Sequence, residues 1–323
     1  MLGIDVSKND LSCALLDPAT RRTLWPGSVP NSAAGLQELL ARTPAESPWV
    51  VEPTGRYSST VVQLGLTAGR QVLLAQPRKA RCFLRSIQSR AKTDQLDSRG
   101  LALYGLAHSL PPYPVKPALV EQLDQLLAAR KGIAAHLSSL QLQLGELPHA
   151  AAPLQAAITA LQQQRQELDR QIAACTTGTV GKEHFPAAVR LQAVPGIGPI
   201  TAAAVVSRLT AKQFAHPDQF VAYVGLDIGV RQSGKRAGNV GLTKQGDAEL
   251  RRLLYLCAQA NLRCKNSPFK AQYERELAKG LGRTGALCAV ARKLARLCWS
   301  MVKHGSEYDP ARVYQQELSK EQK

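Results

Sequence analysis

Four acidic residues stand in local contexts that would bring them together: Asp5 in MLGIDVSK, Glu52 in WVVEPTGRY, and Asp94 with Asp97 in AKTDQLDSRG. Asp5 lies on the first of two short apolar runs, LGIDV and LSCALLD, whose composition and intervening Ser-Lys-Asn-Asp predict a β-hairpin. Glu52 ends the run Trp49-Val50-Val51, which Pro53 and Gly55 close. Asp94 and Asp97 are three apart among the helix formers Leu96, Leu101, Ala102 and Leu103, so both carboxylates project from one helix face. Taken singly, a strand aspartate is a turn or edge residue and a D-x-x-D pair is a solvated helix face. The order strand acid, later strand acid, helix pair favours the joint reading.

The surrounding pattern supports that order. After the hairpin, a third strand is predicted over 23–29, a helix over 32–42, a strand over 49–52, a helix over 57–68, a strand over 71–75 and then the helix of Asp94 and Asp97. The succession β-β-β-α-β-α-β-α is that of an RNase H-like domain, which sets the first and fourth strands side by side and makes Asp5 and Glu52 neighbours. Carboxylates clustered against their own repulsion need cations. Hard divalent ions such as Mg²⁺, with Mn²⁺ as the alternative, are held by oxygen ligands. Two such ions about 4 Å apart would bracket a phosphodiester and stabilise its attacking and leaving oxygens.

Charge identifies the partner class. The 323 residues carry a net charge of +17 with only 5% aromatics, which points to a polyanion held through its phosphates rather than to bases stacked on rings. The cations are clustered. Arg78, Lys79, Arg81, Arg85, Arg90 and Lys92 form an acid-free stretch leading into Asp94, and Arg231, Lys235 and Arg236 form another. A charge run is ordinarily a solvated face, but one that abuts a carboxylate cluster makes sense as a phosphate track. Seven scattered cysteines without C-x-x-C spacing disfavour a disulfide framework and a zinc site and suit a reducing cytoplasm. No apolar run approaches the roughly 18 residues of a membrane span, so no membrane partner is expected.

Three sections are expected: an α/β domain over 1–110, a helical section over 111–180 and a mostly α domain over 181–323. Pro111, Pro112, Pro114 and Pro117 stiffen the first boundary. Leu119, Leu123, Leu126, Ile133, Leu137, Leu140 and Leu144 recur at spacings of three, four and seven, as in an antiparallel helical hairpin, an intermolecular coiled coil, or a helix packed on its own domain. The last section opens with VPGIGPITA, which looks like a helix-hairpin-helix: Gly196 and Gly198 let the backbone turn tightly and approach phosphate, though the motif also serves as a packing corner. Downstream, FVAYVGLDIGVRQSGKRAGNVGLTKQG reads as a glycine-rich basic loop with Ser233 in its middle, by default a turn residue with no partner base nearby.

Several of these motifs together resemble the IS110-family transposases, the group that includes the Piv-type DNA invertases. The resemblance covers nearly the whole chain and rests on GIDVSK, EPTGRY, the KTDQLDS segment with its following L-A-x-Y, VPGIGPITA, the GLD segment ending in QSGK, and G-x-x-x-L-R-R-L-L. It implies a RuvC-like N-terminal domain in which Asp5, Glu52, Asp94 and Asp97 bind Mg²⁺, and a C-terminal transposase domain in which Ser233 is the nucleophile. It implies donor and target DNA as substrates, a bridging noncoding RNA, and homodimers pairing into homotetramers whose active sites combine domains of different subunits. It also implies a cytoplasmic, nucleoid-associated location. Arg231 and Lys235 are then candidate phosphate clamps. The alternatives are a hydrolytic RuvC-like nuclease or Holliday-junction resolvase using water, an invertase acting without RNA, and a nucleic-acid scaffold with an inert acidic site.

Overall fold

The computed structural model describes residues 1–52, 56–87, 93–113, 115–233, 236–264, 267–311 and 313; the side chains of Arg56, Val180 and residues 230–240 are outside that description. The chain divides into two compact units, Met1–Pro114 and Val115–Lys323.

The first unit is a mixed five-stranded sheet with helices on both faces. Its elements are β1 (Leu2–Val6), β2 (Asp10–Leu16), β3 (Thr23–Pro30), α1 (Ala33–Arg42), β4 (Trp49–Val51), α2 (Arg56–Thr67), β5 (Val72–Leu74), α3 (Pro77–Ile87) and α4 (Asp94–Ala107). The strand order is β3-β2-β1-β4-β5, with β1 antiparallel to β2 and parallel to β4. Alternation along the strands divides the core. Leu2, Ile4, Val6, Trp49 and Val51 pack with Leu36 and Leu39 of α1 and Val61 and Val62 of α2. Val50 and Leu73 pack on the other face with Ala80, Leu101 and Tyr104. A strand covered on both faces reads as an unbroken apolar run, which is why Trp49-Val50-Val51 shows no alternation.

The first and fourth strands are neighbours, as the element order predicts. One element differs. The basic stretch before Asp94 contains a helix of its own, α3, so the succession ends α3-α4. Pro77 begins it where a missing amide costs nothing, and Ala80 and Leu84, one turn apart, are its buried contacts.

The second unit is almost wholly helical. It begins with α5 (Ala118–Glu146), a 3-10 turn at Pro148–Ala150, and α6 (Ala151–Thr177). The short connection makes the two antiparallel, and an Arg130–Asp169 ion pair ties them across. Only the base of this hairpin enters the unit's core, through Val120, Leu123 and Ile172. Towards the turn it is solvent-exposed, with Leu142 71% and Leu147 50% accessible. The spaced residues stay covered towards the turn, Leu137 buried and Ile133, Leu140 and Leu144 half-buried, while Leu142 and Leu147, outside that spacing, form an exposed apolar edge.

Next come α7 (Thr179–His184), α8 (Ala187–Leu191), α9 (Pro199–Ala211) and α10 (Pro217–Val224), then β6 (Ile228–Ser233) and β7 (Arg236–Leu242), and finally α11 (Ala248–Asn261), α12 (Pro268–Ala278) and α13 (Arg283–His304). The glycine-rich segment expected to be a loop is thus a two-stranded antiparallel hairpin. Its glycines weaken the strand signal in sequence, and pairing across the hairpin supplies what propensity lacks.

A charged cluster joins α5, α9 and α11. Arg208 donates to Asp124 at 2.6 Å and to Asp247 at 3.0 Å, Ser207 donates to Asp124, and Lys116 lies 2.6 Å from the same carboxylate. Burial works against the Arg208 charge, but Asp124 and Asp247 raise its pKa above the ordinary value. Asp247 also caps α11 by accepting from the amides of Glu249 and Leu250.

Candidate active site

The four acids meet the geometry of one strand end. In the parallel β1–β4 ladder Gly3 pairs with Val50 and Ile4 with Val51, so Asp5 on β1 comes next to Glu52, the residue just past the end of β4 rather than inside it as the sequence predicts. Residues two apart share a face. Gly3 and Asp5, with Val50 and Glu52, therefore belong to the face opposite Leu2, Ile4, Trp49 and Val51. That is the face α4 covers.

Close contacts set the direction of α4. A Cβ on Gly105 would lie 2.5 Å from the Val50 side chain and 3.2 Å from Met1 Sδ, whereas a Cβ on Gly3 would lie 2.0 Å from the Ser98 carbonyl oxygen and 2.5 Å from the Ala102 nitrogen. The helix thus runs antiparallel to β1, with Gly105 over Met1 and the Ser98–Ala102 turn over Gly3. A strand advances about 3.3 Å per residue and a helix about 1.5 Å, so two strand residues match roughly four helical ones. Moving from Gly3 to Asp5 therefore moves from Ser98–Ala102 to the first turn of α4, where Asp94 and Asp97 stand. Asp5, Glu52 and Asp97 are half-buried and Asp94 is exposed. Thr93 caps the helix by accepting from the Leu96 amide, and carboxylates in a first turn are favoured by the helix dipole.

Among the described residues no three or more His, Cys, Asp or Glu side chains stand close enough together to hold a metal ion. The chemistry of the four side chains is that of hard oxygen donors, the kind divalent cations take. Gly3→Ala is expected to disturb this alignment most economically. Its Cβ must displace main chain rather than a flexible side chain, at a cost of about 1–3 kcal/mol or more. The melting temperature should fall; a thermal transition indistinguishable from wild type would show that α4 does not depend on this close approach.

The basic stretch is a helix face. Arg78, Lys79, Arg81 and Arg85 are all exposed on α3, whose inner side packs on α4 through Phe83 and Tyr104, their ring centroids 5.4 Å apart. Arg90 and Lys92 lie outside the described residues. In sequence the apolar residues of α3 are few and the cations conspicuous, so it reads as a track; the i, i+4 pair Ala80 and Leu84 was the available helical signal.

In the second unit, Ser233 is the last residue of β6 and pairs with Arg236 on β7. The side chains of Ser233, Arg231 and Arg236, and all of Lys235, lie outside the described residues. Gly196 has φ +80°, and a Cβ there would lie 2.7 Å from both Asn261 Nδ2 and the Cys257 carbonyl oxygen. Asn261 also donates to the Pro195 carbonyl at 2.6 Å. Gly196 is therefore a tight corner packed on α11. Gly198, two residues on, is exposed at the start of α9, with nothing near its missing Cβ. The two glycines of the motif divide the roles that the sequence leaves joined.

No helix among the described residues is long and apolar enough to cross a membrane.

Comparison with known proteins covers both units. Residues 2–153 match the family model DEDD_Tnp_IS110, described as a transposase, and residues 188–274 match the model described as the Transposase IS116/IS110/IS902 family. A probable family 20 transposase of Pseudomonas aeruginosa is 31% identical over 192 residues, 57% of this chain and 56% of that relative. The match thus spans about half the length of that protein. An insertion element IS900 42 kDa protein of Mycobacterium paratuberculosis is 23% identical over 96% of this chain and 97% of its own length. A pilin gene-inverting protein of Moraxella bovis is 23% identical over 95% and 97% respectively.

Proposed function

Since the chain belongs to the IS110 family of transposases, we propose that it is a site-specific DNA recombinase that cuts and rejoins DNA through a phosphoserine link. The observation that carries this reading is the alignment of Asp5, Glu52, Asp94 and Asp97 at one end of the β1–β4 pair under the first turn of α4. These four residues would hold Mg²⁺ or Mn²⁺. Such an ion, when bound, lowers the charge on a phosphodiester and stabilises its attacking and leaving oxygens.

The remaining chemistry belongs to the chain. Ser233 Oγ forms the bond to phosphorus as a deoxyribose oxygen departs, which conserves the phosphodiester energy in the protein–DNA link and lets rejoining proceed without ATP. Arg231, Lys235 and Arg236 flank Ser233 in sequence, and cations of this kind suit the nonbridging phosphate oxygens. Arg78, Lys79, Arg81, Arg85 and Lys92 supply a phosphate track towards the acids. The α8–turn–α9 corner acts as a helix-hairpin-helix, in which the exposed Gly198 amide end of α9 faces a DNA phosphate while Gly196 holds the turn. Site selection falls to a bridging noncoding RNA, and the protein works as a homodimer that pairs into a homotetramer, for which the exposed Leu142 and Leu147 on the helical hairpin offer an apolar contact.

The test is to incubate the protein with Mg²⁺, DNA carrying the element's junction and RNA transcribed from its end, and to resolve the products under denaturing conditions. DNA covalently attached to protein is expected, and EDTA should remove it. Free cleaved ends with no attached protein would replace this reading with a hydrolytic nuclease.

A further inference from the structure

We propose that Arg251, Arg292 and Lys244 form a seat for a nucleic-acid phosphate at the base of the β6–β7 hairpin, apart from the track on α3 and the corner at Gly198. The proposal rests on the recombinase reading and adds a contact to it.

The three cations come from separate segments and meet around the turn at residues 224–226. Arg251 of α11 donates to the Val224 carbonyl at 2.8 Å, and Arg292 of α13 donates to the Leu226 carbonyl at 3.0 Å. Gly225, between them, has φ +75°; a Cβ there would lie 2.5 Å from Arg251 Nη1 and 3.0 Å from the Lys244 carbonyl carbon. Lys244 itself has φ +55°, a left-handed conformation that a residue with a Cβ adopts only when its surroundings impose it, and such strain gathers at functional sites. Its ammonium is exposed, and both guanidinium groups are half-buried.

The pairing pattern sets this corner apart. On the same two helices Arg252 pairs with Glu249 at 2.5 Å and Arg296 with Asp218 at 2.7 Å. Among the described residues, Arg251, Arg292 and Lys244 have no carboxylate at ion-pair distance, and the arginines hold main-chain carbonyls instead. Asp227 and Glu276 act on Arg292 only at longer range, while burial and the neighbouring Arg296 lower its pKa. Half-buried like charges without counterions are costly unless an anion completes them. The anion's chemistry follows from the arginines, whose planar forks suit phosphate oxygens.

Position links the seat to the reaction. Thr243 donates to Asp227 at 2.5 Å and closes the hairpin base, so β6 runs from the seat to Ser233. Its five residue steps span about 17 Å, the rise of roughly five nucleotides. A strand bound in the seat can therefore lie along the hairpin to its tip.

The experiment compares the full-length protein with Arg251→Gln/Arg292→Gln, measuring affinity for random-sequence duplex DNA and for single-stranded RNA of equal length between 50 and 200 mM salt. Loss of one phosphate contact should make the salt slope shallower by about 0.9 for duplex or 0.7 for single strand, so that the drop in affinity across this range becomes about threefold smaller. A change with DNA alone or RNA alone identifies the source of the phosphate. Arg251→Lys/Arg292→Lys keeps the charge and should keep the slope; a role confined to the carbonyl bonds would instead impair both pairs equally in thermal melts and leave both slopes at the wild-type value. Unchanged slopes in a folded Gln variant overturn the seat. A wild type that binds neither polymer in a salt-dependent way overturns the recombinase reading itself.

Discussion

Ser233→Ala is expected to eliminate the covalent protein–DNA species, a loss of at least about a thousandfold, while leaving DNA affinity and thermal stability near wild type. Removing a nucleophile removes the intermediate rather than slowing its formation by degrees, because alanine offers no oxygen to bond to phosphorus. The fold has little reason to respond. Ser233 contributes its main chain to the pairing with Arg236, and alanine keeps that pairing. The measurement is a denaturing gel of labelled junction DNA beside a thermal melt and a binding isotherm for the same preparation. If the variant still yields protein-linked DNA, another residue is the nucleophile; if both proteins release equal amounts of free ends, water is.

Asp5→Asn should reduce strand cleavage on the order of a thousandfold, corresponding to about 4 kcal/mol of transition-state stabilisation. The substitution is nearly isosteric, so its effect is one of charge. Asp5 is the only one of the four acids inside a strand, paired with Ser12 on one side and next to the Glu52 position on the other. It is therefore the acid least able to be replaced by movement of a neighbour. A second readout does not depend on catalysis. Ligand that binds only the folded state stabilises it by RT ln(1 + [L]/Kd), about 2.7 kcal/mol at a hundredfold excess over Kd. The wild-type melting temperature should rise with Mg²⁺, and the rise should shrink in Asp5→Asn. An unchanged response to Mg²⁺ together with normal cleavage would take Asp5 out of the metal site.

The candidate acids were legible because each sits in a segment whose local pattern is strong. A two-residue period around Asp5, an apolar run ending at Glu52 and a capped helix beginning at Asp94 can each be read without knowing what they pack against. Their order along the chain then implied the strand adjacency that the sheet has. Elsewhere local signals misled. The cations of Arg78 to Arg85 concealed a helix, since only Ala80 and Leu84 of that segment are buried. The glycines around Ser233 concealed two strands, since β6 and β7 stabilise each other and neither is persuasive alone.

What the sequence by itself determined is the set of elements with strong local periodicity, the presence of four acids on three of them, and the cationic character of the whole chain. These depend on residues within a turn or two of one another. What only the tertiary structure decided is the side of the sheet and the end of the helix at which the acids meet, which follows from two glycines, Gly3 and Gly105, letting α4 lie close on β1 in one direction. It also decided that Arg208 joins Asp124 and Asp247, 84 and 39 residues away, and that Arg251 and Arg292 converge on one turn with no carboxylate in ion-pair contact among the described residues. Long-range electrostatics of this kind leaves no periodic trace in a sequence, because the energy of a charge depends on which distant groups the packed core brings beside it.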